Sequence, residues 1–267
     1  MHQGGRGACE IFHKLLALLS ALDISRKEFI LSFMISKLFS FATVGALALG
    51  AVQAADISGK ITLKGTPPAE KELPLDPQCG KLHTKKPTTR FFVVGQGGGL
   101  ADVFVYLKEG ASGKTYEVPS KSVLLDQVGC EYTPYVLGLQ TNQKLMVRNS
   151  DPLLHNVHPT PTAPGNKESN LAQLPKGKDI EHTFPSPEVF LRFKCDVHPW
   201  MFAWVGVVDH PFYSVTDKDG SFKISNVPPG SYTVEAYHRK AGKATEKVTI
   251  DKDSKELNFT LEVKETP

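Results

Sequence analysis

The chain has 267 residues, 40% hydrophobic and 22% charged, with 22 glycines and 19 prolines. That is a globular, turn-rich composition and it excludes a disordered chain. The formal charge is +3, but five of the 31 Lys and Arg and three of the 28 Asp and Glu precede Ala55, leaving 26 basic against 25 acidic residues. A near-neutral chain without a basic stripe is not expected to bind nucleic acid.

Residues 34–54 read MISKLFSFATVGALALGAVQA. Lys37 supplies a positive start, residues 38–51 an apolar stretch, and Val52 and Ala54 the small residues at −3 and −1 of a signal-peptidase site. Residues 1–54 are therefore expected to be a leader, with Met34 as the natural start and cleavage near Ala54. The product is expected to be periplasmic or secreted. The apolar run is shorter than the ~20 residues of a membrane span, and no cysteine follows it at a lipoprotein position, so no span or lipid anchor is expected.

After Ala55 the chain reads as strands separated by Gly and Pro clusters, with no long amphipathic helix. Residues 57–63, 103–107, 145–148, 189–193, 205–208 and 232–236 are rich in β-branched and aromatic side chains. The fold class is all-β, of sandwich type. Glycine-rich 95–99 reads as a turn, and GASGKT at 110–115 lacks the first glycine of a phosphate-binding loop. No Gly-x-Ser-x-Gly elbow and no zinc-protease helix motif occur, so the chain reads as no enzyme.

The chemistry lies at 191–205, LRFKCDVHPWMFAWV, where Cys195, His198 and Met201 stand at C-x2-H-x2-M spacing between two strands. One tight loop can then aim a thiolate, an imidazole and a thioether at one point. Soft sulfur with imidazole suits copper, and two His and one Cys with a weak axial Met is the electron-transfer geometry. The second histidine comes from NSDPLLHNVH, which offers His155 and His158. Cysteine counting points the same way. With Cys9 in the leader, Cys79, Cys130 and Cys195 remain, an odd number in an oxidising compartment. Metal ligation of Cys195 leaves Cys79 and Cys130 to pair as a disulfide.

Residues 119–210 thereby resemble the cupredoxin family, and CDVHPWM is most similar to the short ligand loop of amicyanins. The resemblance implies one mononuclear copper held by His155, Cys195, His198 and Met201, with His155 preferred because Asn156 follows it. It implies that Asn149 and Asn156 tie the ligand strands together, with His158 outside the ligands or at the surface. It also implies a solvent-facing His198 edge, with Pro199, Trp200 and Phe202 as a docking surface.

Residues 211–267 hold an Asp-Gly turn at Asp219 and Gly220, a Pro-Pro-Gly turn and alternating strands. This segment resembles the carboxypeptidase regulatory-like, transthyretin-like β-sandwich. Residues 55–118 hold strands of the kind that begin such a sandwich, so it is either split by the 119–210 domain or one of two consecutive sandwiches. Asp217 and Asp219 lack the remaining ligands of a calcium loop and read as turn residues.

The expected function is single-electron transfer with a redox partner such as a cytochrome or dehydrogenase. The alternatives are a copper- or carbohydrate-binding module without redox turnover, with a glycan as partner, and an accessory role in an oxidase or dehydrogenase system.

Overall fold

The computed structural model describes residues 53–263. The expected leader and its signal sequence lie almost wholly outside them. The fold is all-β: among the described residues the helical pieces are a four-residue helix α1 (Pro77–Gly80) and a 3-10 turn at Gln96–Gly98. Among the described residues no helix is long and apolar enough to cross a membrane.

The strands in chain order are β1 (Ala55–Lys64), β2 (Phe104–Glu109), β3 (Val123–Val128), β4 (Glu131–Thr133), β5 (Val136–Gln140), β6 (Leu145–Asn149), β7 (His155–Thr160), β8 (Leu171–Gln173) and β9 (Ile180–His182). There follow β10 (Glu188–Lys194), β11 (Phe202–Val208), β12 (Tyr213–Val215), β13 (Ser221–Val227), β14 (Gly230–His238), β15 (Gly242–Ile250), β16 (Lys255–Glu256) and β17 (Phe259–Glu262).

One sandwich pairs the sheet β5-β11-β10-β7-β8 with the sheet β4-β3-β6-β9. Both contribute to one core, Leu125, Leu145 and Val147 from one sheet and Leu191, Phe193, Ala203 and Val205 from the other. Alternation along each strand points these residues inward. Fully burying a Leu or Phe side chain contributes about 1.5–3 kcal/mol. Cys195 and Met201 belong to this same core, so the edge of the hydrophobic interior is also the floor of the candidate site.

A second sandwich is built from both ends of the described chain. β1 pairs antiparallel with β13 and parallel with β17, and β2 pairs antiparallel with β12 and β14. Its core includes Ile57, Ile61, Val105, Leu107, Phe222, Ile224, Val234 and Ile250. β1 and β2 thus share sheets with strands that come more than 100 residues later, and the first sandwich lies between them in sequence.

The outer face of β5, β11 and β10 packs on β2, β12 and β14 through Phe104, Tyr135, Val136, Phe190, Trp204 and Val208. Gly138 and Gly206 are register partners on β5 and β11. A Cβ at Gly206 would sit 2.4 Å from the Phe104 ring, and one at Gly138 2.4 Å from Tyr213. The glycine pair makes the notch that these rings fill. A bulge between Val189 and Leu191, with Phe190 at φ 67°, sends Phe190 to this seam and Leu191 to the core of the first sandwich.

Candidate metal centre

The site begins with the turn from β6 into β7. Asn149 Oδ1 accepts from the Asp151 N–H (3.0 Å), while its Nδ2 donates to the carbonyls of Leu153 (2.9 Å), Gln173 (3.1 Å) and Leu174 (3.1 Å). The asparagine folds 150–154 back on itself and ties it to β8, leaving His155 as the first residue of β7. On a strand, residues three apart face opposite sides. His155 is fully buried, whereas His158 gives its two nitrogens to Asp196 (2.6 Å) and Glu168 (2.7 Å) near the surface.

The loop from β10 to β11 closes on itself: Cys195 N–H donates to the Met201 carbonyl (3.1 Å) and Met201 N–H to the His198 carbonyl (2.9 Å). Asn156 clamps it from β7. Its Oδ1 accepts from the N–H groups of Asp196 (2.7 Å) and Val197 (3.3 Å), and its own N–H reaches the Cys195 sulfur at 3.5 Å.

These elements bring three donors together. His155 Nδ1 lies 2.9 Å from His198 Nδ1, and Cys195 Sγ lies 3.6 Å from His198 Nδ1. All three ligand atoms fall within 4.8 Å of one another and all three residues are buried. Met201, also buried, completes the loop. Cys195 is the free thiol among the described residues, because Cys79 and Cys130 are bonded to each other.

Electrostatics act on each donor. Burial pushes the Cys195 pKa up, but His155 and the N–H groups of Asn156, His198 and Val197 outweigh it and bring it below the ordinary thiol value. Burial opposes charge on His155, yet Asp151 and the Cys195 sulfur hold its pKa up at about 9. His198 is lowered, first by burial and then by the neighbouring His155. A thiol whose pKa is drawn down, two imidazole Nδ1 atoms and, in the same loop, a buried methionine are donor types that fit copper. Zinc sites draw on thiolate, imidazole and carboxylate rather than thioether.

The surroundings differ from expectation in one respect. The His198 edge does not face open solvent: the residue is only 4% exposed and its Nε2 lies 3.5 Å from Asp76 Oδ2. Pro199 is exposed and Trp200 and Phe202 are half-buried. With Leu73, Pro74 and residues 88–91 they line a pocket of about 290 Å³, and Trp200 Nε1 donates to the Cys130 carbonyl (3.1 Å). The Cys79–Cys130 disulfide links the 73–91 segment to the turn that precedes β4. Leu154 and Val197 are further apolar residues exposed beside His198.

Two carboxylates escaped the sequence reading. Asp151 Oδ2 accepts from His155 Nε2 at 2.9 Å, and Asp76 faces His198. The Asp151–His155 spacing of four residues in NSDPLLH was a usable signal. Asp76, 122 residues before His198, carried none. Elsewhere, His83 Nε2 bonds the Gly129 carbonyl, His210 Nε2 the Leu107 carbonyl, and His238 Nδ1 accepts from Ala241 N–H. His182 differs, its buried Nε2 having no partner.

Residues 212–264 match a family model described as BOS complex subunit NOMO1-like, second beta sandwich domain. No curated protein matches the sequence. Among solved structures, a copper-containing nitrite reductase from Thermus scotoductus SA-01 aligns at 20% identity over 39% of this chain and 26% of its own, TM-score 0.31. The chain thus spans about a quarter of that enzyme's length. A purple cupredoxin from Nitrosopumilus maritimus aligns at 23% identity over 32% of this chain and 98% of its own, TM-score 0.27. An oxidised amicyanin mutant aligns at 18% identity over 39% and 97%, TM-score 0.29.

Proposed function

We propose that the protein is an extracytoplasmic copper protein of the cupredoxin type that transfers single electrons, with His155, Cys195, His198 and Met201 holding one copper ion. The observation that carries this reading is the meeting of the two histidine Nδ1 atoms with the buried free thiol of Cys195. The disulfide fits the oxidising compartment that the reading requires. Bound copper would supply a one-electron Cu(II)/Cu(I) couple.

The chain's own part is to hold its donors still. The Cys195–Met201 and Met201–His198 backbone bonds close the loop, and Asn156 fixes it from the neighbouring strand. Such a frame limits ligand movement between oxidation states. A cytochrome or a dehydrogenase is the proposed kind of partner. Voltammetry of the copper-loaded protein tests the reading: a reversible one-electron wave is expected, and copper bound without such a wave would refute electron transfer.

A second reading, favoured by the match of 212–264 to a β-sandwich module, is a copper- or carbohydrate-binding protein without redox turnover. Glycan binding that survives copper removal would support it.

A further inference from the structure

The two ligand histidines are each faced from outside by a carboxylate, and both carboxylates lead back to one disulfide. Asp151 accepts three hydrogen bonds: Gly129 N–H to Oδ1 (2.6 Å), and Cys130 N–H (2.7 Å) and His155 Nε2–H (2.9 Å) to Oδ2. Asp76 Oδ1 caps α1 by accepting from the N–H groups of Gln78 (2.7 Å) and Cys79 (2.8 Å), and its Oδ2 lies 3.5 Å from His198 Nε2. Cys79 and Cys130 are bonded to each other and fully buried. The Cys130 carbonyl also receives Trp200 Nε1 from the ligand loop.

We infer that the Cys79–Cys130 disulfide is the common anchor of Asp151 and Asp76, and that these aspartates are positioning residues that set the two ligand histidines from outside. The inference rests on the copper reading above. A carboxylate on the outer nitrogen of a ligand imidazole fixes ring orientation and tautomer and raises its basicity. For His155 the bond to Asp151 holds a proton on Nε2 and turns Nδ1 toward Cys195. The pair is sealed from water, with side-chain exposures of 0% and 5%, so the anion acts at low dielectric. Negative charge there favours the more positive metal state, which lowers the reduction potential. Asp76 acts in the same sense on His198 from a site that is 42% exposed, so its effect is the smaller.

The experiment compares the full chain with Asp151→Asn, Asp76→Asn and the double variant Cys79→Ser/Cys130→Ser. In the metal-free protein, proton NMR should show a low-field His155 Nε2–H signal protected from exchange. Asp151→Asn should abolish it or speed its exchange by at least about tenfold. With copper, the same variant should weaken Cu(II) affinity about 10- to 100-fold and raise the potential. Asp76→Asn preserves the helix cap, since Asn caps as well as Asp. It should raise the potential at unchanged melting temperature. The double serine variant should speed exchange of the His155 proton without touching either aspartate.

An unchanged His155 signal in Asp151→Asn, or Cu(II) affinity within about twofold of the parent, would overturn the inference. If Asp151→Asn does not fold, an unaltered potential in Asp76→Asn together with an unaltered His155 signal in the double serine variant would overturn it instead. Failure of the parent to bind copper at all would refute the copper reading, while the metal-free proton signal would still test the Asp151–His155 contact.

Discussion

His155 and His198, 43 residues apart in sequence, meet through their Nδ1 atoms at 2.9 Å inside the sandwich edge, with their outer nitrogens turned away. His158 lies on the other side of β7, engaged with Asp196 and Glu168. We therefore expect His155→Asn to weaken copper binding by more than the roughly 10- to 100-fold that loss of an outer partner costs. His158→Asn should leave copper affinity unchanged. Competition titration with a calibrated chelator measures both, and equal losses in the two variants would contradict this ligand assignment.

The disulfide closes a separation of 51 residues and fastens residues 73–91 beside the site. Replacing both cysteines by serine should cost about 2–4 kcal/mol of stability, chiefly by freeing the unfolded chain. Denaturant unfolding of the metal-free protein checks this. A loss below ~0.5 kcal/mol would mean that the segment is held by its other contacts.

The seam between the sandwiches depends on the absence of side chains at Gly138 and Gly206. Gly206→Ala would press a methyl group into the buried Phe104 ring and should destabilise by about 1–3 kcal/mol. Gly80→Ala, where a Cβ would meet nothing within 4 Å, should stay within about 0.5 kcal/mol of the parent. Urea unfolding of the pair separates crowding at the seam from a general intolerance of alanine.

His238 should make the second sandwich acid-sensitive. Burial lowers its pKa to about 4, and its Nδ1 accepts from Ala241 N–H, which needs the neutral ring. As pH falls, the unfolded chain takes up this proton near the ordinary histidine value of about 6.5, and the folded chain only near 4. Stability is therefore complete above pH ~6.5, is lost across that window by up to about 3 kcal/mol, and is flat in this group below it. His210, lowered mainly by burial, adds in the same direction. His238→Asn, which keeps an acceptor, should flatten the fall in melting temperature between pH 7 and pH 4.5; an unchanged slope would assign the acid sensitivity elsewhere.

Much of this architecture is legible locally. The alternating run at 232–236 lies within β14, and C-x2-H-x2-M is readable because its three residues occupy one short loop. What is not legible is long-range. β1 lies against β13 across some 160 residues, and no local pattern encodes such a pairing. That residues 73–91 lie beside Pro199, Trp200 and Phe202 is likewise not legible, because the disulfide that joins the segment there is a contact in space. Asp76 reaches His198 from the segment that the same disulfide joins.

Copper held by Cys195 and the two histidines is tested by titrating the metal-free protein with Cu(II) beside Cys195→Ser. An intense thiolate-to-copper absorption in the visible is expected, saturating at one equivalent and absent from the serine variant. Weak bands alone in the parent protein, or equal absorption in both proteins, would contradict it.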